Sequence, residues 1–420
     1  MKRYSEYKDS GVKWIGEIPG HWDTPRIKSV AIFNPSKSTV NYQKVGYAPM
    51  DCIRCGNITA GIIDYKKLPT GLTYFENEDI VVAKVTPCFE NGNIAIAKNL
   101  HNGCAYGSSE LFVFRCYGVE NRYLFYYMQD EKFKHKCCST MTGTGGLKRI
   151  SSSFIRNAFI PLPPLPEQEA IVTYLDTKVA KIDEYIAIAE KKIAALEELK
   201  QTIIAEAVTR GIHKDVPMKD SGVKWIGMIP EHWKVNKIRS HFKERRVKVS
   251  DKDFQALSVA KIGIVPQLED ACKTDNGDNR KQVLKGDFVV NSRSDRKGSC
   301  GISPLDGSVS LINIVLRPFN ILQEYVHYLF RSHNYIEEFY RNGRGIVADL
   351  WTTRYSEMRN IQIPVPPLYE QQEIVTYLDS KVANINQLCQ AERSQIEKLK
   401  EYKQRLISDV VTGKVKVTND

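Results

Sequence analysis

Two long stretches of the chain repeat apolar residues at alternating spacings of four and three, the heptad pattern of a coiled-coil helix. The seam positions of the first stretch are Leu175, Val179, Ile182, Ile186, Ala189, Ile193, Leu196, Lys200, Ile203 and Ala207. Those of the second stretch are Leu378, Val382, Ile385, Cys389, Glu392, Ile396, Leu399, Lys403, Leu406 and Val410. A proline-rich segment precedes each stretch, and proline cannot continue a preceding helix. Each pattern therefore predicts a helix of about 40 residues, or about 60 Å.

A lysine stands at the same seam position of both predicted helices, as Lys200 and Lys403. A polar residue in a coiled-coil seam costs stability but can fix the register and the partner. Two helices with the same pattern, one central and one near the carboxyl end, are expected to pack together. The long segment between them favours antiparallel packing. Such a pair could hold two domains at a fixed distance, or it could serve only to stabilise the chain.

Short apolar runs bounded by turn residues predict buried strands in two other parts of the chain. The segments 78–85 and 286–293 each have the pattern of a turn that leads into a buried strand. Later strands are predicted at 111–115 and 311–317, and an aromatic-rich helix at 122–137 and 322–340. The two parts are therefore predicted to be mixed α/β and to share one order of elements.

The chain contains an internal repeat. Residues 8–16 recur without change as 219–227, and Ile18-Pro19 and His21-Trp22 recur at the same offset of 211. Residues 160–168 match 363–371, and residues 171–176 recur as 374–379, at an offset of 203. The two inserts between these matches are unlike each other. A scaffold has been duplicated while its inserts diverged.

The repeat divides the chain into six expected segments. These are a first repeated segment at 1–29, an insert at 30–159, a central region with the first long helix at 160–211, a second repeated segment at 212–240, an insert at 241–362 and a carboxyl-terminal region with the second long helix at 363–420.

The net charge of the chain suggests a class of partner. The 420 residues include 60 Lys+Arg against 49 Asp+Glu, a net charge of +11, which favours nucleic acid but also suits ordinary solubility. The first ten residues are polar, no apolar run is long enough to cross a bilayer, and the ten cysteines are scattered. We therefore expect a cytoplasmic protein with reduced thiols.

Basic residues cluster in both inserts where loops are expected. Arginine can bind guanine through two hydrogen bonds, and lysine and glycine-rich backbone suit phosphate. The candidate DNA-binding residues are Arg54, Lys84, Thr144, Lys148, Arg149, Arg293, Arg296, Lys297, Arg341, Arg344 and Arg354. Any one of them could instead be an ordinary surface residue, and it is their recurrence in both inserts that favours a nucleic-acid interface.

The repeated tryptophans Trp14, Trp22, Trp225 and Trp233 are interpreted as anchors that pack the start of each half beside a helix. A contact with a partner protein is the alternative. The candidate residues for a partner interface or for the helix seam are Trp14, Trp225, Leu175, Val179, Ile182, Leu378, Val382 and Ile385.

Motifs for catalysis or for cofactor binding are not found. The glycine-rich segment 143–148 is not a P-loop, and neither a dinucleotide fingerprint nor the tetrapeptide of adenine methyltransferases occurs. Glu269 with Lys273, or Glu78 with Lys84, is too little for a nuclease site. A zinc site would need Cys52, Cys55 and the adjacent Cys137 and Cys138, which is a weak pattern. No catalytic residue and no metal ligand is predicted.

With these features the chain resembles the specificity (S) subunits of type I restriction-modification systems along nearly its whole length. The resemblance rests on Val12-Lys13-Trp14-Ile15-Gly16 with its copy, and on the two Pro-Pro-Leu-x-Glu-Gln-x-x-Ile elements at 163–171 and 366–374. Lys84-x-x-Pro87-Cys88 and Ser108-Ser109-Glu110 also resemble the target-recognition domains of that family. The second insert departs from both of these patterns, so its class of recognition domain is left open.

The resemblance implies two mixed α/β (α+β) target-recognition domains, separated by a pair of long antiparallel coiled-coil helices in an internal pseudo-twofold repeat. Each domain would recognise one half of a split, asymmetric DNA site, and the helices would set the spacer. Two methyltransferase (M) subunits would bring S-adenosylmethionine and methylate adenine, and two restriction (R) subunits would use ATP and Mg. The chain itself would have no catalytic activity and no cofactor.

Two other functions stay open at this point. The first is a self-contained enzyme that modifies or cleaves DNA, which would need a carboxylate cluster or a cofactor loop. The second is a structural adaptor that binds proteins through its helices and never contacts DNA; in that case the basic loops could be replaced without loss of target selection.

Overall fold

The computed structural model describes residues 2–37, 42–54, 56–144, 146–267, 277–345 and 351–418. The chain divides into two units. The first contains residues 1–189 and 394–420, and the second contains residues 190–393. Each unit therefore includes one insert and a part of both long helices.

The two long helices predicted from the heptad pattern are present, and each insert contains shorter helices. The helices are α1 (Asn121–Met128), α2 (Glu131–Cys138), α3 (Ser152–Asn157), α4 (Leu165–Arg210), α5 (Gln323–Arg331), α6 (His333–Arg341), α7 (Tyr355–Met358) and α8 (Leu368–Val411). The long helices α4 and α8 have 46 and 44 residues, so α4 is about 69 Å long at 1.5 Å per residue.

The first unit contains twelve strands among its described residues. These are β1 (Tyr7–Asp9), β2 (Glu17–Pro19), β3 (Ala31–Phe33), β4 (Lys44–Ala48), β5 (Ile53–Arg54), β6 (Asn57–Ile58), β7 (Gly61–Asp64), β8 (Thr73–Glu76), β9 (Ile80–Ala83), β10 (Ile94–Ile96), β11 (Cys104–Gly107) and β12 (Leu111–Cys116). An antiparallel sheet has the order β10-β9-β12-β3. A second sheet has the order β7-β4-β11-β8, in which β4 and β11 are parallel.

The second unit repeats the first of these sheets and changes the other. Its strands are β13 (Met218–Asp220), β14 (Met228–Pro230), β15 (Lys234–Lys237), β16 (Phe242–Glu244), β17 (Lys248–Val249), β18 (Leu257–Ala260), β19 (Gly263–Pro266), β20 (Arg280–Val283), β21 (Phe288–Asn291), β22 (Cys300–Ile302), β23 (Gly307–Val309), β24 (Asn313–Pro318) and β25 (Gln362–Val365). The order β22-β21-β24-β16 corresponds to β10-β9-β12-β3, whereas the remaining strands of the insert form the sheets β17-β20-β23 and β18-β19.

The four strands predicted from apolar runs are the central strands of the two corresponding sheets. All four residues of β9 are buried, and β21 pairs with β24 in the same register in which β9 pairs with β12. Residues buried on both faces read as continuous apolar runs, which is why these strands were visible in the sequence. The predicted common order of elements in the two inserts is confirmed for this sheet.

The aromatic-rich segments were predicted as single helices, and that prediction is wrong. Each segment forms two helices, with a break before Asp130 in the first unit and at Ser332 in the second. The Asp130 carboxylate accepts a hydrogen bond from the Phe133 amide, and the Ser332 hydroxyl oxygen accepts one from the Tyr335 amide. Both side chains cap a new helix, so they stop the preceding one.

The heptad seam is confirmed by burial. Leu175 and Ile182 of α4 are buried, and so are their counterparts Leu378 and Ile385 of α8. Val179 and Val382 are half-buried and pack against the cores of the first and the second unit. None of the twenty seam positions is exposed. The two helices of each unit therefore share an apolar interface along the predicted stripe.

The helices pack antiparallel, as the connectivity favoured. In the second unit Lys192 contacts Glu392 and Lys200 contacts Asn386, so the residue number rises along α4 while it falls along α8. In the first unit the seam lysine Lys403 donates to both carboxylate oxygens of Asp183, at 2.7 and 2.8 Å. Both seam lysines thus bind a polar residue of the opposite helix, which fixes the register of the pair.

The repeated Glu-Gln dipeptide fastens the start of each long helix. In the second unit, Glu370 is buried and accepts hydrogen bonds from the Trp233 indole at 2.8 Å and from the His232 ring at 2.5 Å. Glu167 of the first unit accepts the same two bonds, from Trp22 at 3.2 Å and from His21 at 2.8 Å. The repeated His-Trp and Glu-Gln motifs are therefore two halves of one contact.

The glutamine of the same dipeptide bonds to the backbone of two further segments. The Gln168 side chain accepts from the Glu120 amide, at the start of α1, and donates to the Pro163 carbonyl. Gln371 does the same with the amide of Leu322 and the carbonyl of Pro366. A buried side-chain amide that uses both its donor and its acceptor holds its neighbours in one geometry.

The contribution of the Glu370 carboxylate to the stability of the fold can be tested. Burial raises its pKa, the hydrogen bonds from Trp233 and His232 lower it, and the net pKa lies below the ordinary value. The Glu370→Ala variant leaves the buried Trp233 N–H without an acceptor. We expect it to lower the free energy of unfolding by about 1–3 kcal/mol in urea denaturation at neutral pH.

The Glu370→Gln variant retains an oxygen for Trp233 and should lose less, and Gln372→Ala on the exposed face serves as the control. Because the folded-state pKa is depressed, the difference between wild type and Glu370→Ala should shrink as the pH falls below the ordinary carboxyl pKa. Equal stability of Glu370→Ala and the control at neutral pH would contradict this assignment.

Candidate nucleic-acid interface

The end of β9 gathers charged side chains from three segments of the first insert. The ammonium group of Lys84 donates to the Ser109 carbonyl at 2.6 Å and lies 3.8 Å from the Glu110 carboxylate. Arg149 donates to both oxygens of Glu110, each at 2.9 Å. The two sequence motifs that resembled the family's recognition domains, at Lys84 and at Glu110, therefore meet here. We call residues 84–90, 108–110, 142–144 and 146–149 the first strand-end cluster.

The described backbone of residues 142–144 and 146–149 lies against the end of β9. Thr142 and Arg149 pair through two backbone hydrogen bonds, and the Ile150 amide donates to the Lys84 carbonyl. The Thr86 hydroxyl donates to the Gly146 carbonyl and accepts from the Lys148 amide. The side chains of Thr144 and Lys148 remain exposed.

The second insert builds the same backbone arrangement at the end of β21. Arg344 and Thr352 pair through two backbone hydrogen bonds, and the Thr353 amide donates to the Ser292 carbonyl. Arg293 pairs with Thr352 as Val85 pairs with Arg149. We call residues 291–298, 341–345 and 351–354 the second strand-end cluster.

The side chains of the second cluster are more basic than those of the first. Five of the six candidate cations are half to mostly exposed and lie within 4 Å of a carboxylate. The pairs are Arg293–Asp295, Arg296–Asp295, Lys297–Glu337, Arg341–Glu338 and Arg344–Glu357. Arg354 is exposed at the start of α7. The structure thus brings all six candidates of the second insert to one place.

These ion pairs leave the cations available to a polyanion. Exposed pairs contribute little to stability, typically below about 1 kcal/mol, so a phosphate or a base edge can replace the carboxylate at low cost. The hydrogen bonds from Arg149 lower the pKa of Glu110, which therefore stays ionised and holds the guanidinium in one orientation. Arginine held in this way is suited to bidentate contacts in a DNA groove.

The remaining predicted residues lie elsewhere. Arg54 is exposed and donates to the carbonyl of Asp51, and no described contact joins it to the first strand-end cluster. Trp14 packs against Tyr127 and Phe133, at ring distances of 6.3 and 6.0 Å. Trp225 is buried against Tyr335. Both tryptophans thus anchor a repeated segment beside the insert helices, as the first interpretation had it.

Two residues that organise the clusters were missed in the sequence. Trp351 donates its indole N–H to the Tyr340 carbonyl, and its own carbonyl accepts from Ser294, so it joins two segments of the second cluster. It is the fifth tryptophan and the only one outside the repeated segments, which could have drawn attention to it. Thr86 has the corresponding role in the first cluster, and its position in the sequence gives no comparable sign.

The described residues contain no group of three or more His, Cys, Asp or Glu side chains placed to hold a metal ion. Cys137 is buried in the core of the first unit, while Cys55, Glu269 and Lys273 lie outside the described residues. In the part of the chain that the structure covers, no helix has the length and apolar character needed to cross a membrane.

The fold and the paired clusters define a protein built from two related halves, and comparison with known proteins gives the family. Residues 19–198 and 234–398 match the family described as Type I restriction modification DNA specificity domain. These two ranges make up most of the chain, one in each half of the repeat. The chain belongs to this family.

The relatives include proteins from bacteria and from an archaeon. The chain is 25% identical over 439 residues to the putative type I restriction enzyme MjaX specificity subunit of Methanocaldococcus jannaschii, with 98% of each chain covered. It is 32% identical over 194 residues to the type I restriction enzyme EcoAI specificity subunit of Escherichia coli, covering 45% of this chain and 33% of the relative. The matched part therefore spans about a third of that relative.

Solved structures share the fold. A chain from a study of complex assembly and conformational transition of the type I R-M system superposes with a TM-score of 0.70 at 18% identity, covering 94% of this chain and 98% of that one. The HsdS subunit from Thermoanaerobacter tengcongensis gives a TM-score of 0.51 at 20% identity, with 95% and 98% covered.

Proposed function

We propose that this chain is the DNA-recognition subunit of a type I restriction-modification complex, and that each strand-end cluster recognises one half of a split DNA site. One observation carries the proposal. The two clusters have the same backbone bridges at the ends of equivalent strands, but their side chains differ. A repeated frame with different basic side chains is what two different half-sites require.

The chemistry of the two clusters supports different base preferences. The first offers one arginine fixed by Glu110, beside Lys84, Lys148 and the exposed Thr144. The second offers several exposed arginines, among them Arg344, whose side chain is 85% exposed. Backbone geometry places such groups, and their identity selects bases.

A surface on the long helices is also duplicated, and this duplication supports the binding of two copies of a partner protein. Nine of the ten residues 171–180 of α4 recur at 374–383 of α8, at exposed as well as buried positions. In the following residues 184–192 no aligned position is identical. Packing explains the buried identities, but it does not explain Thr173, Lys178 or their copies, which are exposed.

We call Thr173, Tyr174 and Lys178, with the copies Thr376, Tyr377 and Lys381, the duplicated helix face. In both copies the lysine ammonium lies over the tyrosine ring, at 5.8 and 5.7 Å from its centre. Acidic residues flank the face in each helix, and they disfavour a phosphate backbone. Tyrosine beside mixed charges is instead typical of protein interfaces. We assign this face to the methyltransferase subunits, one on each copy.

The remaining parts of the proposal concern partners and chemistry. Methylation of adenine with S-adenosylmethionine and ATP-dependent restriction with Mg are assigned to two M subunits and two R subunits, and no catalytic step is assigned to this chain. A cytoplasmic location fits that role. Purified chain that modifies or cleaves DNA by itself would favour the competing hypothesis of a single-chain enzyme. Basic loops that can be replaced without loss of target selection would favour a protein-only adaptor.

We further propose the segment boundaries that the repeat indicates. The recognition domains are assigned to 30–159 and 241–362. The segments 1–29, 160–211, 212–240 and 363–420 are assigned to the scaffold, which carries the partner contacts.

The first prediction separates the two half-sites. Co-expression with the methyltransferase subunit and sequencing of the host methylome should give a split motif with methyladenine in both halves. Arg344→Ala should relax one half and Arg149→Ala the other, each by about 1–3 kcal/mol of discrimination at one position. Arg405→Ala, an exposed arginine on α8, is the control. A soluble complex that gives no methylation motif would contradict the proposed role in DNA recognition.

The second prediction concerns the spacer. Deletion of residues 187–193 together with residues 390–396 removes one heptad from each helix and keeps the two seams aligned. The pair shortens by about 10 Å, or about three base pairs of DNA. The methylome motif should keep its half-sites and lose about three positions between them. An unchanged spacer in a folded complex would rule out a role of the helices in spacing.

The third prediction concerns the duplicated helix face. Lys178→Glu or Lys381→Glu should each leave a complex with one methyltransferase subunit in native mass spectrometry, and the double variant should bind none, because a like charge at an interface costs several kcal/mol. Lys191→Glu is the matched control, since Lys191 is exposed and aligns with Ser394 rather than with a lysine. Two bound subunits on the double variant would refute the assignment.

A further inference from the structure

A groove of about 920 Å³ lies in the second unit between α4, α8, the pair α5–α6 and the turn that joins β18 to β19. Six of its described lining residues are lysine, arginine or histidine, and one, Glu198, is acidic. The basic ones are Lys200, Lys261, Lys297, His327, Arg331 and His333. A groove of this composition attracts anions.

Two of these cations, Lys261 and Arg331, form no ion pair among the described residues. Arg331 donates to the carbonyls of Cys300 at 3.0 Å and of Lys261 at 2.5 Å, so backbone dipoles hold it while its charge stays uncompensated. The same bond fixes the turn that carries Lys261, whose side chain is exposed. Lys200 and Lys297, in contrast, already pair with Glu197 and Glu337.

The positive potential of the groove acts on a neighbouring histidine. Burial and then the charge of Arg331 lower the pKa of His327 to about 4, so this ring is neutral at physiological pH. Among the described residues, the groove therefore offers two cations without an ion pair, Lys261 and Arg331, beside the neutral ring of His327, which suits a phosphodiester.

The groove continues from the second strand-end cluster. Lys297 and Gly298 line the groove, and Lys297 also lines the depression beside Trp351 and Arg341. Its other end reaches the helix seam at Lys200 and Asn386. A DNA strand that leaves the second cluster toward the spacer would enter this groove.

The first unit lacks the charges that correspond to Arg331 and His333, although its seam lysine Lys403 corresponds to Lys200. By the alignment of Tyr123 with Tyr325, Gln129 stands where the second unit has Arg331, and Glu131 stands where it has His333. The feature is therefore not required by the scaffold, and it distinguishes one unit from the other.

We propose that this groove binds the phosphate backbone of the spacer DNA next to the half-site of the second unit, with Lys261 and Arg331 as the contacting cations. The proposal rests on the proposed function. It adds a contact that does not depend on the base sequence and that only the second unit makes.

The test uses full-length chain assembled with its methyltransferase subunits and a short duplex of arbitrary sequence, in fluorescence anisotropy over a range of salt concentrations. Lys261→Gln should weaken binding about fivefold near 0.15 M salt and reduce the slope of log affinity against log salt by about one. It should weaken binding to a duplex with the methylome-derived motif by the same factor. The control is Lys285→Gln, an exposed lysine of the same unit outside the groove.

Neutral methylphosphonates placed one at a time along the spacer locate the contact. In wild type they should weaken binding at one or two positions beside a single half-site, and Lys261→Gln should reduce that sensitivity, with Arg331 still in contact. An unchanged salt slope for Lys261→Gln, or sensitivity that is equal beside both half-sites, would overturn the groove assignment alone. A complex that shows no preference for the motif would instead refute the proposed function.

Discussion

The structure depends on a carboxylate at the first turn of each long helix, which is buried at Glu370 and half-buried at Glu167. Glu370 binds the indole of Trp233, and the next residue, Gln371, binds the backbone at the start of α5. One helical turn thereby joins the repeated segment 212–240, the proline-rich segment before α8 and the insert. Because a buried carboxylate is costly unless its hydrogen bonds are made, these segments must meet in one geometry. The insert can then change between fixed points of entry and exit.

The inserts show how far such change has gone. The central four-stranded sheet is common to both, whereas the second sheet differs in its strands and in its pairing. A buried aspartate follows the same turn in each insert, but Asp79 is bound by Arg115 of β12 and Asp287 by Arg245, which follows β16. The need to pair a buried charge has persisted while the strand that supplies the arginine has changed.

Much of this architecture could be predicted from the sequence, and the limits have physical causes. Heptads and continuous apolar runs are local patterns, so the long helices and the central strands were found. The breaks at Asp130 and Ser332 were missed, although both are favourable capping residues, because the aromatic periodicity continues across them. Among the candidate basic residues, only the structure could separate Arg54 from the cluster that contains Arg149. That distinction depends on pairing between segments some 60 positions apart in the chain, such as Thr86 and Lys148.

The helix seam connects the scaffold with the groove. Lys403 pairs with the carboxylate of Asp183, and at the equivalent place Lys200 pairs with the amide of Asn386. Either partner can fix the register, since both accept a hydrogen bond from the ammonium group. The amide adds no negative charge beyond that of Glu197, which already pairs with Lys200, and Asn386 lines the groove that holds Arg331. The exchange of one carboxylate for an amide therefore preserves the register of the helices and raises the positive potential on the side of the second unit, where the spacer backbone is proposed to lie.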